Sequence, residues 1–151
     1  MDRQVKPSDI VLMVSGAVAL IFSFLPWFDM PEGIGDINAW DTDLTFPLGT
    51  YIPLIGLILG GHVALTRLAT VNMPDRVLGF TWPQIHLILA IFAGLLALGW
   101  LIVDPTDGAA DKGIGLWLCI LASIGLVVGA VMEYMEGERV VAPGNAPPTP
   151  F

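Results

Sequence analysis

Two histidines, His62 and His86, are the residues of this chain whose type and position best fit ligand chemistry. His62 lies near the end of one long apolar stretch, and His86 lies near the start of the next. Consecutive helices joined by a short loop run antiparallel, so we expect both imidazole rings at the same depth and within reach of each other. A facing histidine pair can bind a metal or haem, or can change its charge near neutral pH.

A purely structural role for these histidines is the favoured interpretation. Two imidazoles do not complete a zinc site, and the sequence predicts no acid or cysteine at the same depth. Each ring is expected to hydrogen-bond to a backbone carbonyl, to Thr66, to Gln84 or to water. We therefore predict no metal and no cofactor, and His62 and His86 remain the candidates for cofactor binding.

Other signatures of chemistry are missing from the sequence. It has no glycine-rich phosphate loop, zinc motif or nucleophile elbow, so no catalytic residue and no enzymatic activity are predicted. The one cysteine, Cys119, cannot form an internal disulfide and is expected to pack within an apolar stretch. A net charge of −8 without a lysine or arginine cluster does not suit nucleic-acid binding.

A group of acids follows the first apolar stretch. Asp41 and Asp43 alternate as calcium ligands do, but the complete calcium-binding loop with its glycine and terminal glutamate is missing. We expect these acids to be solvated. With Ile34, Ile37 and Trp40, the segment is expected to fold as a short cap that docks a partner. The residues assigned to this outer loop are Trp27, Trp40, Asp41 and Asp43.

The apolar stretches that must position these residues are candidate membrane spans. The chain is 55% hydrophobic and 13% charged, with a mean hydropathy of +0.76, whereas soluble domains carry about 25% charged residues. Four stretches, at about residues 9–28, 46–69, 82–103 and 113–132, are each long enough as a helix to rise ~30 Å. We predict an all-α four-transmembrane-helix bundle over residues 1–136 and a proline-rich cytoplasmic tail over 137–151. A soluble bundle is the alternative.

The charges between the stretches predict the orientation. Basic residues gather on one side: Arg3, Lys6, Arg67, Arg76 and Arg139. The positive-inside rule then places both termini and the 70–81 loop in the cytoplasm. The short extracytoplasmic loops carry Lys112 and the acids Asp29, Glu32, Asp36, Asp41, Asp43, Asp104, Asp107 and Asp111. Trp27 and Trp100 are expected at the outer rim of the membrane and Trp82 at the inner rim.

Small residues recur every four positions in two of the stretches. Gly56 and Gly60 form one row, and Gly125 and Gly129 form another. Such rows let helix backbones approach closely in lipid. They predict either a dimer interface or packing within the bundle, and the bundle is favoured because short loops hold neighbouring helices together.

Two aromatic motifs carry a resemblance to known proteins. Phe-Leu-Pro-Trp-Phe at residues 24–28 is followed by Ile-Asn-Ala-Trp at residues 37–40 and then by a second span. Over roughly residues 10–60 the chain resembles a group of small four-pass membrane proteins of actinobacteria that share an F-L-P-W turn and an N-A-W loop motif. That group has no established activity. The resemblance therefore implies a multi-pass protein of the bacterial inner (plasma) membrane and carries no mechanism.

The function expected from these features is a non-enzymatic integral membrane protein that serves as an accessory or scaffold subunit of a larger complex. Its partners are then the lipid bilayer and either another membrane protein or further copies of itself. One alternative is a holin-like or exclusion protein that permeabilises or modifies the envelope, which toxicity and dye leakage on expression would reveal. Another is a small channel or transporter, which needs a polar stripe that the scattered serines and threonines do not supply.

Overall fold

A computed structural model describes residues 4–31, 35–69, 71–74 and 76–141, with side chains to residue 137. These residues form four helices: α1 (Pro7–Phe22), α2 (Leu48–Arg67), α3 (Trp82–Ile102) and α4 (Ile114–Val141). They also form four short strands: β1 (Phe28–Asp29), β2 (Arg76–Val77), β3 (Phe80–Thr81) and β4 (Asp111–Lys112). The predicted charges Arg3 and Glu32, the cap residue Ile34, the tail residues 142–151 and the Arg139 side chain lie outside this description.

Three of the four helices are long and apolar enough to cross a membrane: α2, α3 and the part of α4 over Ile114–Gly137. The protein is therefore a mostly helical membrane-protein candidate, as predicted. Helix α1 is shorter, with 16 residues, which corresponds to a rise of ~24 Å.

The shortening of α1 has a local cause. The first apolar stretch runs to residue 28, but the helix ends at Phe22. The Ser23 hydroxyl donates to the Leu20 carbonyl (2.6 Å) at the helix end, and Pro26 has no N–H to continue the helical ladder. The segment after Ser23 leaves the helix axis and enters strand β1.

Helix α1 lies between α2 and α4 and contacts both. A Cβ on Gly56 would lie 3.0 Å from Ala19 Cβ, and a Cβ on Gly129 would lie 2.9 Å from Leu12 Cγ. Gly60 faces the backbone of α1 at Gly16, and Gly125 faces Ser15. Both glycine rows therefore pack within the bundle, against α1.

Helix α3 is the least enclosed of the long helices. Only 22% of its apolar window is buried, against 50% for α2 and for α4. It packs mainly against α4 and less extensively against α2. Most of its apolar surface is therefore not covered by the other described helices.

The two ends of the bundle differ in structure. At one end, β2 and β3 form a hairpin before α3. We call this the histidine end, because His62 and His86 lie near it. At the other end, which we call the loop end, residues 23–31, 35–47 and 103–113 fold together. There β1 pairs antiparallel with β4, with Phe28 opposite Lys112, and Phe28 also bridges to Ile37.

Trp27 is part of the core of the loop end. Its side chain is 0% exposed, and its ring meets Trp100 edge-on at a centroid distance of 5.8 Å. The Ile37 carbonyl accepts a hydrogen bond from the Trp27 amide (2.7 Å). The loop between α1 and α2 therefore folds back at Ile37 and covers the Trp27 ring.

Helix α4 extends beyond the predicted end of the last span at residue 132 and continues to Val141. The first residues of the predicted proline-rich tail are therefore helical. No proline occurs between Ile114 and Val141, so nothing in the backbone chemistry stops the helix there. This extension carries Glu133 and Glu136 alongside the other helices.

Candidate functional site

The two histidine rings lie against each other at the histidine end. The ring centroids of His62 and His86 are 4.8 Å apart, with the planes at 71°. His62 comes from the last turns of α2, and His86 comes from the first turns of α3. Helix α3 begins at Trp82, where the Thr81 amide donates to Gln84 Oε1 (3.0 Å) and Pro83 occupies the first turn. This capped helix start fixes where α3 begins and therefore places His86 in its second turn.

Trp82 holds the His62 ring in place. The two rings stack with centroids 3.7 Å apart and planes at 22°. The Trp82 indole N–H donates to the Pro74 carbonyl (2.8 Å), which fixes the indole against the connection between α2 and α3. His62 is therefore enclosed by an aromatic face on one side and by His86 on another.

Glu133 is the partner of His86, and the sequence had predicted no acid at this depth. His86 Nδ1 lies 2.6 Å from Glu133 Oε2, and the side chains are 1% and 16% exposed. An ionised carboxylate only accepts hydrogen bonds, so His86 donates from Nδ1–H. The prediction was wrong because it ended the last span just before Glu133. The continuous helix-compatible sequence beyond residue 132 was the signal that would have revealed it.

The polar partners proposed for the rings are engaged elsewhere. The Thr66 hydroxyl donates to the backbone carbonyls of His62 (2.9 Å) and Val63 (3.1 Å), and Gln84 caps α3. Three ring nitrogens are left buried with no hydrogen-bond partner among the described residues: His62 Nδ1, His62 Nε2 and His86 Nε2. Buried polar atoms without partners are rare in native proteins and indicate a missing ligand, ion or water.

A second polar group at the same end ties the helices together. Asp9 accepts from Arg67 Nε (2.9 Å), and the Asp9 side chain is 1% exposed. The Asp9 carboxylate also accepts from the Lys6 amide (2.9 Å), which caps α1. Glu136 accepts from the Ser8 hydroxyl (3.0 Å). These contacts link α1 to α2 and to α4, so the histidine pair lies beside a fixed charged frame.

The predicted outer-loop residues have structural roles at the loop end. Trp40 donates its indole N–H to Ser23 Oγ (2.9 Å) and stacks on Phe24 (5.5 Å). Asp41 Oδ1 accepts from the amides of Asp43 (3.1 Å) and Leu44 (3.0 Å), which closes a tight turn. Asp43 itself is exposed.

The loop from α1 to α2 is fastened to the bundle. The Ala39 amide donates to the Ser23 carbonyl (3.2 Å), and the Ala39 carbonyl accepts from the Thr50 hydroxyl (2.8 Å). We call the folded residues 35–47, together with the β1–β4 pair, the cap. Its backbone is therefore held by both α1 and α2.

The second loop is organised by Asp104. Its carboxylate accepts from the Thr106 hydroxyl (2.6 Å) and amide (2.9 Å), and from the Gly108 amide (3.0 Å). The hydrogen bond from the Thr106 side chain, which favours the charged form, lowers the pKa of Asp104 below its ordinary value. The Lys112 ammonium donates to the Leu101 carbonyl, so this loop also closes on α3.

Within the described residues, no group of three or more His, Cys, Asp or Glu side chains converges on a common metal position. Comparisons with protein-family models, with curated proteins and with solved structures found no match.

Proposed function

We propose that this chain is a non-enzymatic integral membrane protein that serves as an accessory or scaffold subunit and presents its cap to a larger partner. The observation that carries this proposal is the folded cap. Its backbone is bonded to α1 and α2, its Phe28 side chain is buried, and four of its acids are exposed: Asp29, Asp36, Asp43 and Asp111. An ordered loop costs less entropy on binding than a flexible one.

The charge distribution favours a basic partner surface. Asp29 and Asp111 are opposite each other in the β1–β4 pair, and both are exposed. Like charges in such positions destabilise a strand pair. Both acids also line a surface cavity of about 400 Å³. Cationic groups of a partner would relieve this repulsion and would be steered towards it.

The setting of the proposal is the inner membrane of a bacterium, as the resemblance implies. The positive-inside rule assigns the histidine end, with Lys6, Arg67 and Arg76, to the cytoplasm. The loop end with its acids then faces the exterior. A partner is accordingly expected to contact the cap from outside and the apolar surface of α3 within the lipid.

Affinity purification in mild detergent from the native membrane, followed by mass spectrometry, tests the proposal. A stoichiometric larger partner is expected with the unmodified chain. The variant D29N/D111N is expected to lose that partner, whereas R76Q, at the opposite end, is expected to keep it. Recovery of the unmodified chain alone or as a homo-oligomer would overturn the accessory-subunit proposal.

A further inference from the structure

We propose that His62 and His86 form a binding site for one borderline divalent metal ion of the Zn²⁺ class, with Glu133 as the residue that positions His86. This inference goes beyond the proposed function and does not depend on it. It starts from the three buried ring nitrogens that have no partner among the described residues. All three belong to two rings in contact.

The tautomer of His86 fits metal binding. Glu133 accepts from His86 Nδ1 at 2.6 Å, so the lone pair of the neutral ring is on Nε2. Histidines that bind metals commonly donate their other N–H to a carboxylate in this way, which fixes the ring and makes the ligating nitrogen more basic. In this structure the supporting hydrogen bond is formed, and the ligating nitrogen is buried without a hydrogen-bond partner among the described residues.

The spacing of the rings also fits. Two imidazoles bound to one tetrahedral ion at Zn–N distances of about 2.0–2.1 Å have ring centroids about 5 Å apart. The observed centroid distance is 4.8 Å. The separation of the rings is therefore compatible with one nitrogen of each ring binding a shared ion. A haem, in contrast, would require the two rings to separate.

Protonation of the rings would not give the buried nitrogens a hydrogen-bond partner. Protonation of either ring would convert an unpartnered acceptor into an unpartnered donor in the same apolar surroundings. A divalent ion uses the lone pairs directly and is attracted by the Glu133 carboxylate, while Arg67 is already paired with Asp9. Imidazole nitrogen suits zinc and its neighbours in the first transition series, and oxygen-seeking ions such as Mg²⁺ would be disfavoured.

The site supplies two protein ligands, so the remaining coordination positions are open. Glu133 is hydrogen-bonded to His86, so it positions the ring and is not counted as a ligand of the ion. Its side chain is 16% exposed, so the carboxylate lies near the surface at the histidine end. We expect water to complete the coordination in the isolated protein.

Metal binding by the purified protein tests the inference. The chain, carrying an affinity tag without histidine, is dialysed in nanodiscs against Zn²⁺ or Co²⁺, and bound metal is measured by mass spectrometry. We expect one ion per chain, with the intense visible absorption of tetrahedral Co²⁺. Failure of the unmodified protein to bind either ion stoichiometrically would overturn the proposal without reference to any variant.

Variants then assign the ligands. H62A and H86A are expected to weaken binding by at least about 100-fold. E133Q is expected to weaken it by about 10–100-fold, the usual effect of losing such a positioning residue. E136Q is the matched control, because Glu136 is on the same helix and bonds to Ser8 instead, and it is expected to bind as the unmodified chain does. Unchanged affinity in H62A and H86A would show that the ion binds elsewhere and would overturn the assignment.

Discussion

His86 Nδ1 lies 2.6 Å from Glu133 Oε2, and this contact joins the first turns of α3 to α4. The His86 side chain is buried, and that of Glu133 is only partly exposed. Among the described side chains, this contact is a direct polar link between α3 and another helix at the histidine end. Helix α3 is otherwise held mostly by apolar packing against α4. The pair therefore has consequences for stability as well as for ligand binding.

Removing the carboxylate of Glu133 is expected to destabilise the fold. E133A leaves His86 Nδ1 buried without an acceptor, at a cost of about 1–3 kcal/mol in the free energy of unfolding. Unfolding by SDS titration in mixed micelles measures this change. E136A is the comparison, since Glu136 is more accessible, at 25% exposure, and the loss there should be smaller. Equal losses in the two variants would contradict a special role for the His86–Glu133 contact.

The Asp9–Arg67 pair is expected to show strong coupling. R67M leaves a buried carboxylate without its cation, which typically costs about 3–5 kcal/mol. The double variant D9N/R67M removes the charge but keeps an acceptor for the Lys6 amide, and it is expected to be more stable than R67M alone. The same SDS titration, run as a double-mutant cycle, measures the coupling. Additive effects would show that the pair contributes no interaction energy.

Glycine packing around α1 is expected to tolerate no side chain. A Cβ on Gly16 would overlap the Gly56 carbonyl oxygen, so G16A is expected to cost at least about 1–3 kcal/mol by overpacking. A Cβ on Gly61 would meet open space among the described residues, and G61A is expected to cause no loss. Thermal unfolding followed by circular dichroism compares the two. A stable G16A protein would contradict the close α1–α2 crossing.

The Asp104 turn is expected to depend on pH in one direction. Because the folded-state pKa of Asp104 is lowered, the turn gains stability above the ordinary carboxyl pKa and loses it as the pH falls through the lowered value. T106V removes the main hydrogen bond and should move the pKa of Asp104 back towards its ordinary value. NMR titration of the Gly108 amide, which donates to Asp104 (3.0 Å), reports this. An identical midpoint in T106V would contradict the assigned cause.

The sequence predicted the helices well because long apolar stretches leave few alternatives in lipid. The start of α3 at Trp82 matches the predicted span. The end of α1 at Phe22 could not be predicted from hydropathy, because residues 23–28 remain apolar although they leave the helix and pack at the loop end. Hydropathy reports only that a side chain favours apolar surroundings, and here the folded loop end provides them for Trp27 and Phe28.

The candidate site was predicted only in part, for a related reason. The meeting of His62 and His86 follows from antiparallel helices, which the sequence shows directly. Glu133 was missed because an acid ends a hydropathy window even when the helix continues. Tertiary contact with His86 is what makes that position favourable for a carboxylate, and no local pattern reports it.

Orientation of the bundle is the claim on which the proposed function most depends, and thiol labelling in intact cells measures it directly. In a C119A background, D43C on the cap and R76C at the histidine end each introduce one thiol at an exposed position. Labelling of D43C by a membrane-impermeant maleimide in intact cells, with R76C labelled only after permeabilisation, is the predicted result. The reverse pattern, or equal labelling of both positions in intact cells, would contradict an exterior acidic cap.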